Sequence, residues 1–317
     1  MSQTLTRVKE RGSVLCGVSQ GLPGFSNPDS NGRWTGIDVD LCRGLAAAIF
    51  NDPGKVKFLG LAAKDRFTAL QVGEIDVLSH DTTWTLSRDA SLGLNFTGTT
   101  YYDGQGFMVR RSLHVTSARD LNGASVCTQT GTTTELNLSD YFKEHRMTYE
   151  LVAFESADET LRAYEAGRCD TFTNDISSLY AQKLKLEKPG DHVILDDVIS
   201  KEPLGPAVRQ GDDQWFDIVR WTLFAMIEAE ELGISSKNID SLAQSGRPDV
   251  KRFLGLGGDH GRHMGLSNEW AARIVRRVGN YGEIFERNVG AESRLGIPRG
   301  LNRLWSRGVI QYSPPIR

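Results

Sequence analysis

The sequence predicts an α/β protein of two lobes joined by a two-segment hinge. Three observations predict it. The chain has 317 residues, more than one compact domain usually holds. Its first 80 residues alternate strand and helix in βαβαβ order, and the same alternation restarts after residue 105.

In the first pattern, Val14-Leu15-Cys16-Gly17-Val18-Ser19 reads as a strand. Residues 38–50 read as a helix, because Val39, Leu41, Leu45 and Ile49 recur along it at helical spacing. A second strand over 55–61, a helix over 66–72 and a third strand over 75–79 complete the unit, and a Thr/Ser-rich turn follows. Such an order makes a parallel sheet, and ligands gather at the carboxyl ends of its strands.

The second pattern opens with strands at 106–109 and 124–128. The latter runs into Gly131-Thr132-Thr133-Thr134-Glu135, which has the hydroxyls and early acid of a helix start. Strands at 149–154 and 169–173 alternate with helices at 157–166 and 177–186. Residues 203–208 read as an extended return to the first lobe, and a long helix spans 213–232. Lobe 1 is therefore expected to hold 1–108 and 205–317, and lobe 2 to hold 109–204. Beyond 246 the chain is punctuated by glycine, with helices around 267–278 and 280–288 forming a C-terminal helical extension.

Composition narrows the function. With 39% hydrophobic and 24% charged residues and a net charge of -3, the chain is globular, and nucleic acid is excluded as an expected partner. Residues 262–317 carry ten Arg against four Glu, at helical spacing among apolar positions; a solvated helix face is expected there, with an anionic partner as the alternative. No stretch reaches the roughly 18 apolar residues of a membrane span. Met1-Ser2-Gln3-Thr4-Leu5 lacks the basic and apolar regions of a signal peptide, so either the protein is cytoplasmic or its leader has been removed. The four cysteines fall two and two. One disulfide per lobe is expected, Cys16 with Cys42 and Cys127 with Cys169, although four cysteines allow three connectivities and buried free thiols are the alternative. No CxxC or Cys/His cluster supports a metal, and no phosphate loop, GxSxG or dinucleotide fingerprint supports a cofactor or a serine nucleophile. His260-Gly261-Arg262-His263 reads as a Gly-rich loop.

Three places could carry recognition chemistry. After the strand at 75–79 come Asp81, Thr82 and Thr83, with Arg88 five residues beyond Thr83. A hydroxyl and a guanidinium there can converge on one carboxylate, which arginine's planar fork matches with two parallel bonds. The competing reading is a capped turn with a surface arginine. Gly131-Thr132-Thr133 can attract an anion through backbone N–H groups at a helix start, or can be a plain cap. Asp175, ending the strand at 169–173, can accept an ammonium group or cap a helix. Together they describe a receptor for a zwitterion: Thr83, Arg88 and Thr133 for the α-carboxylate, Asp175 for the α-ammonium.

Five runs carry a family resemblance. They are Gly36-Ile37-Asp38-Val39-Asp40; Arg66-Phe67-Thr68-Ala69-Leu70-Gln71-Val72-Gly73-Glu74-Ile75-Asp76; Thr83-Trp84-Thr85-Leu86-Ser87-Arg88; Gln129-Thr130-Gly131-Thr132-Thr133; and Gly167-Arg168-Cys169-Asp170-Thr171-Phe172-Thr173-Asn174-Asp175. In this order they resemble the polar amino-acid family of periplasmic binding proteins, over about 5–245, and imply the type II periplasmic-binding-protein fold. The tail, with Gly279-Asn280-Tyr281-Gly282 and Tyr312-Ser313-Pro314-Pro315, looks like the branch serving general L-amino-acid ABC importers. The resemblance implies a cleaved leader, a periplasmic monomer, no cofactor, and a membrane permease and ATPase as partners. By position it assigns Thr83 and Arg88 to the carboxylate, Thr133 beside Thr132 to a second-lobe donor, and Asp175 to the ammonium. Asp81 falls where relatives use a backbone carbonyl or hydroxyl, and Arg66, with Ser19, could reach a ligand side chain. Arg66 can also be a surface charge at a helix start. Trp84 either lines the pocket mouth or fills an interface. Leu22 and Ala63 stand where many relatives place aromatic rings, which implies a roomier pocket.

The expected function is capture of polar or acidic L-amino acids, and of small glutamyl peptides, with no catalysis. The alternatives are a dehydratase-like enzyme on the same fold, which needs a general acid or base beside the carboxylate site, and a sensory ligand-binding module.

Overall fold

The structure, a computed structural model, describes residues 2–317. It opens with a helix the sequence reading did not find, α1 (Gln3–Arg11), which stops on left-handed Gly12. There follow β1 (Val14–Ser19), β2 (Asn27–Pro28), β3 (Trp34–Thr35), α2 (Ile37–Phe50), β4 (Val56–Leu61), α3 (Arg66–Gln71), β5 (Val77–Leu78), α4 (Leu86–Ser91), β6 (Leu94–Phe96) and β7 (Tyr101–Asp103). Next are β8 (Gln105–Arg110), β9 (Ser125–Gln129), α5 (Thr133–Glu144), β10 (Glu150–Phe154), α6 (Ala157–Glu165), β11 (Thr171–Asp175), α7 (Ile176–Lys183), β12 (His192–Ile194) and β13 (Glu202–Leu204). The chain closes with β14 (Ala207–Arg209), α8 (Asp213–Leu232), α9 (Pro248–Phe253), α10 (His260–His263), α11 (Trp270–Arg277) and α12 (Tyr281–Asn288).

Internal packing divides the chain into two units. Unit 1 comprises residues to Gly60, Phe67–Tyr101 and Gly205–Arg317; unit 2 comprises Leu61–Arg66 and Tyr102–Leu204. The first crossing thus lies earlier than the expected 108/109 boundary. The reason is β8, which pairs with β11 from Gln105 opposite Asp175 to Val109 opposite Thr171 and so belongs to the second sheet. Residues 61–66, expected in lobe 1, group with unit 2, where Lys64 pairs with Glu155 at 2.7 Å.

In unit 1 the sheet runs β4-β1-β5-β14-β6, with β1 parallel to β5 and β14 antiparallel to β5 and β6. Helix α2 is buried along nearly its whole length, so its apolar residues surround it instead of forming a stripe. Cys42 on α2 is bonded to Cys16 on β1. The C-terminal extension is held to this unit by buried and half-buried polar anchors. Arg287 and Asn288 donate to Asp40, Arg299 reaches both oxygens of Glu230, and the Ile316 N–H lies 3.1 Å from each oxygen of Glu228. Arg287 and Arg299 are therefore structural ion-pair partners, while Arg276, Arg277, Arg294, Arg303 and Arg307 are exposed as expected. His260–His263 is a helical turn where a loop was expected.

In unit 2 the sheet runs β10-β9-β11-β8-β12, with β9 parallel to β10 and β11, and β8 antiparallel to β11 and β12. Alternate residues feed two cores. Met108, Cys127 and Phe172 join Leu161 and Leu179 on one face, while Phe107, Val109 and Val126 join Leu138 and Phe142 on the other. Cys127 and Cys169 are bonded within the first core. No helix among the described residues is long and apolar enough to cross a membrane.

Candidate functional site

The carboxyl ends of β5, β9 and β11 lead directly into the three segments singled out above. In unit 1, β5 gives way to a turn held by Asp38 from the first turn of α2. Asp38 accepts from the Ser79 hydroxyl and from the Asp81 N–H, each at 3.0 Å. Asp81 takes a left-handed conformation, φ 49°, which aspartate tolerates better than most residues. Burial pushes Asp38 up to about 7, against the lowering effect of its two donors.

This turn delivers Thr83, 4% exposed, and then α4, whose first turn is capped by the Thr85 hydroxyl accepting from the Arg88 N–H at 3.3 Å. Arg88 is not a surface residue, being 8% exposed. Its Nη1 donates to the Thr83 carbonyl at 2.8 Å, and its guanidinium lies 5.2 Å from the Phe67 ring centre. A carbonyl and a ring face are favourable neighbours for a partly desolvated cation. Trp84 is 37% exposed and stacks on Phe96 at 5.8 Å. At the end of β1, the Ser19 hydroxyl lies 2.6 Å from that of Ser26, whose carbonyl accepts from the Leu22 N–H at 2.7 Å. Leu22 is buried.

In unit 2, Gly131 is left-handed, φ 75°, and turns the chain out of β9 into α5. Thr132 occupies the cap position without capping, since its hydroxyl donates to the Gln129 carbonyl at 2.7 Å. The simple-cap reading of this run therefore fails. The Thr133 hydroxyl donates to Oε2 of Glu202 at 3.0 Å. Asp175 ends β11 at the cap position of α7 and also makes no side-chain cap bond. It is 6% exposed. Nearby, Asp103 accepts from the Ser177 N–H at 3.1 Å, and burial, more than the adjacent Glu202 carboxylate, pushes Asp103 up to about 6. Arg66, in the 61–66 segment, is 5% exposed and so is not the surface charge that a helix start allowed; Ala63 is equally buried.

Three residues of these networks escaped the sequence reading as individuals: Asp38, Asp103 and Glu202. Asp38 had a signal, because it lies in the Gly36-Ile37-Asp38-Val39-Asp40 run. Glu202 had none. Chemically, unit 1 offers a buried cation with hydroxyls, and unit 2 offers buried carboxylates and two helix starts whose cap residues leave the first N–H groups to other partners.

Comparison with known proteins turns on residues 14–238, which match the model of the bacterial extracellular solute-binding proteins, family 3. The chain belongs to that family. This solute-binding protein is 59% identical over 316 residues to the general L-amino acid-binding periplasmic protein AapJ of Rhizobium johnstonii, covering 99% of this chain and 93% of that one. It is 50% identical over 317 residues to the glutamate/glutamine/aspartate/asparagine-binding protein BztA of Rhodobacter capsulatus, covering 100% and 94%. Among solved structures it is similar to an ABC transporter periplasmic binding protein from Brucella ovis with glutathione bound, with 54% identity, full coverage of both chains and a TM-score of 0.98. The fold is the type II periplasmic-binding-protein fold expected from the sequence.

Proposed function

We propose that this solute-binding protein captures free L-amino acids in the periplasm and passes them unaltered to a membrane permease and its ATPase. The observation that carries the reading is Arg88, a buried guanidinium braced on the Thr83 carbonyl and the Phe67 ring. With the Thr83 hydroxyl it suits an α-carboxylate; Asp175 in unit 2 suits an α-ammonium, and the start of α5 at Thr132 and Thr133 adds backbone N–H groups for the carboxylate. Arg66 and Ser19 are assigned to the ligand side chain, Asp81 and Trp84 to its surroundings, and Leu22 and Ala63 are small or aliphatic where many relatives place rings. The amino-acid and glutathione ligands named for the relatives support this assignment: all keep a free α-amino group and a free α-carboxylate on the same carbon, and glutathione adds length and a second carboxylate beyond the side chain.

Calorimetry against a panel of L- and D-amino acids and γ-glutamyl peptides tests it. Several polar or acidic L-amino acids should bind within about two orders of magnitude of one another, roughly 3 kcal/mol. D-amino acids should not bind, because inversion misplaces one of the three groups. One amino acid bound a thousandfold more tightly than every other would overturn the open-pocket reading. Recovery of the ligand unchanged after prolonged incubation, followed by NMR, tests the absence of catalysis.

A further inference from the structure

We infer that Tyr281, Phe285 and Gln311 of the C-terminal extension are positioning residues for ligand capture: they brace the stretch by which the chain leaves unit 1, and so set affinity by an equal factor for every ligand. The inference rests on the amino-acid reading above, in which one ligand takes groups from both units.

One passage of the chain from unit 1 to unit 2 lies between Tyr101 and Tyr102. The four residues 97–100 before it lie between β6 and β7, outside both strands, so their carbonyls depend on partners other than a strand ladder. Side chains supply them in order. Arg220 of α8 donates to the Thr97 carbonyl at 3.3 Å, the Gln311 amide to the Thr99 carbonyl at 3.2 Å, and the Tyr281 hydroxyl to the Thr100 carbonyl at 2.8 Å. The next residue, Tyr101, lays its ring parallel to that of Phe285, with centres 6.0 Å apart. Thr100, Tyr101, Tyr281, Phe285 and Gln311 are all buried. Three consecutive residues, 99–101, are thus gripped by the extension. On the return passage, Gly205 runs so close to the same stretch that a Cβ there would collide with the Gly98 carbonyl oxygen, so the brace steadies both passages.

The extension can act as a brace because it is itself fixed to unit 1. Arg287 donates to Asp40 of α2 at 2.8 Å. Arg299, held on both oxygens of Glu230 in α8, lies over the rings of Tyr281 and Phe285, 5.2 and 4.9 Å from their centres. The three brace residues also lie beyond residue 238, where the match to the family model ends, so the support is built from residues outside the matched span.

The consequence is entropic. A ligand that takes groups from two units binds only while those units keep one mutual arrangement, and freedom in the joining chain must be given up on binding. With 99–101 held, bending at this passage is confined to residues after Tyr101. Loosening the brace raises the cost of binding equally for every ligand, because that cost belongs to the chain and not to the ligand side chain.

The test measures binding of L-glutamate and of L-glutamine to the full chain by calorimetry, with hydrogen–deuterium exchange of the ligand-free protein read by mass spectrometry. Tyr281→Phe removes one hydroxyl, and Gln311→Leu removes one amide. The double variant should bind both amino acids roughly 3- to 10-fold more weakly, by one common factor, and should exchange faster than the parent over residues 97–103. Tyr281→Phe alone should give a smaller loss of the same kind, which keeps the test readable if the double variant folds poorly. Ile274→Val is the comparison, because Ile274 lies in the extension but packs, fully buried, against α2 beside Gly44. It should lower the melting temperature and leave affinity at the parental value, which separates bracing from stability alone. Parental affinity in the double variant, a loss confined to one of the two amino acids, or an equal loss in Ile274→Val would overturn the inference. A parent protein that binds neither amino acid would overturn instead the reading on which it rests.

Discussion

Unit 1 and unit 2 solve the same problem, holding a charge out of water, with opposite signs and different supports. In unit 1 the charge is Arg88, braced by a backbone carbonyl at 2.8 Å and an aromatic face, both presented within one short stretch of chain and its neighbour α3. In unit 2 the acidic groups are Asp175, Asp103 and Glu202, and the last two are supported by an N–H group at a helix start, hydroxyls and an amide drawn from segments far apart in sequence. The difference follows from geometry. A guanidinium carries five donors in a plane and can be satisfied by neutral acceptors close by, whereas a carboxylate needs several donors and finds them where helices begin.

The sharpest way to break this comparison is to remove the cation. Arg88→Ala should weaken binding of every L-amino acid by a similar factor, about 2–5 kcal/mol, since it deletes a contact to the group they share. Near-parental affinity by calorimetry would take Arg88 out of the site and leave unit 1 without its role.

A second test compares the staples. Replacing both cysteines of either disulfide with alanine should lower stability in thermal or denaturant unfolding by about 2–4 kcal/mol. Cys127–Cys169 spans 42 residues against 26 for Cys16–Cys42, so in the chain-entropy account unit 2 loses about 0.4 kcal/mol more. A much larger loss in unit 1 would point to packing of α2 on β1 as the greater effect.

The third test is titration. Burial raises Asp38 from an ordinary 3.8 to about 7, so between those values the folded chain holds a proton that the unfolded chain has released. Its contribution therefore favours folding below about pH 4 and declines as pH rises to 7. Asn mimics the protonated form, giving its NH₂ to Ser79 and its oxygen to the Asp81 N–H. Asp38→Asn should be close to the parent at pH 4 and gain relative to it by roughly 2–4 kcal/mol at pH 8 in urea unfolding. A difference that does not change with pH would mean that Asp38 titrates normally.

The smallest effect is expected at Lys64 and Glu155, paired at 2.7 Å but 44% and 70% exposed. Glu155→Gln should change stability by less than about 1 kcal/mol, and less still at high salt. This separates a surface ion pair from the buried charges of the same unit.

Much of the fold was legible as periodicity. The 213–232 reading coincides with α8, and 38–50 is within a residue of α2, because both are long and carry repeated apolar positions. The short elements were not legible. Helix α1 and helix α9 are nine and six residues long and take their stability from docking, and β5 shrinks to Val77–Leu78 because Asp38 draws the following residues into a turn. At the site, Thr83, Arg88, Thr133 and Asp175 stood out because a hydroxyl, a guanidinium or a carboxylate just past a strand has a local meaning.

Local sequence therefore determined the order of strands and helices, the alternation of buried faces, the two-and-two placement of cysteines and the residue types at the strand ends. These depend on neighbours within a few positions. Tertiary structure alone decided which way those groups face. Glu202 reaches Thr133 across 69 residues and Asn137 across 65, and Asp38 reaches Asp81 across 43. No periodicity spans such distances. Whether a hydroxyl gives or receives a proton is set by the buried acceptor that folding brings beside it, because in a site shielded from water an unmatched donor or acceptor is too unfavourable to leave in place.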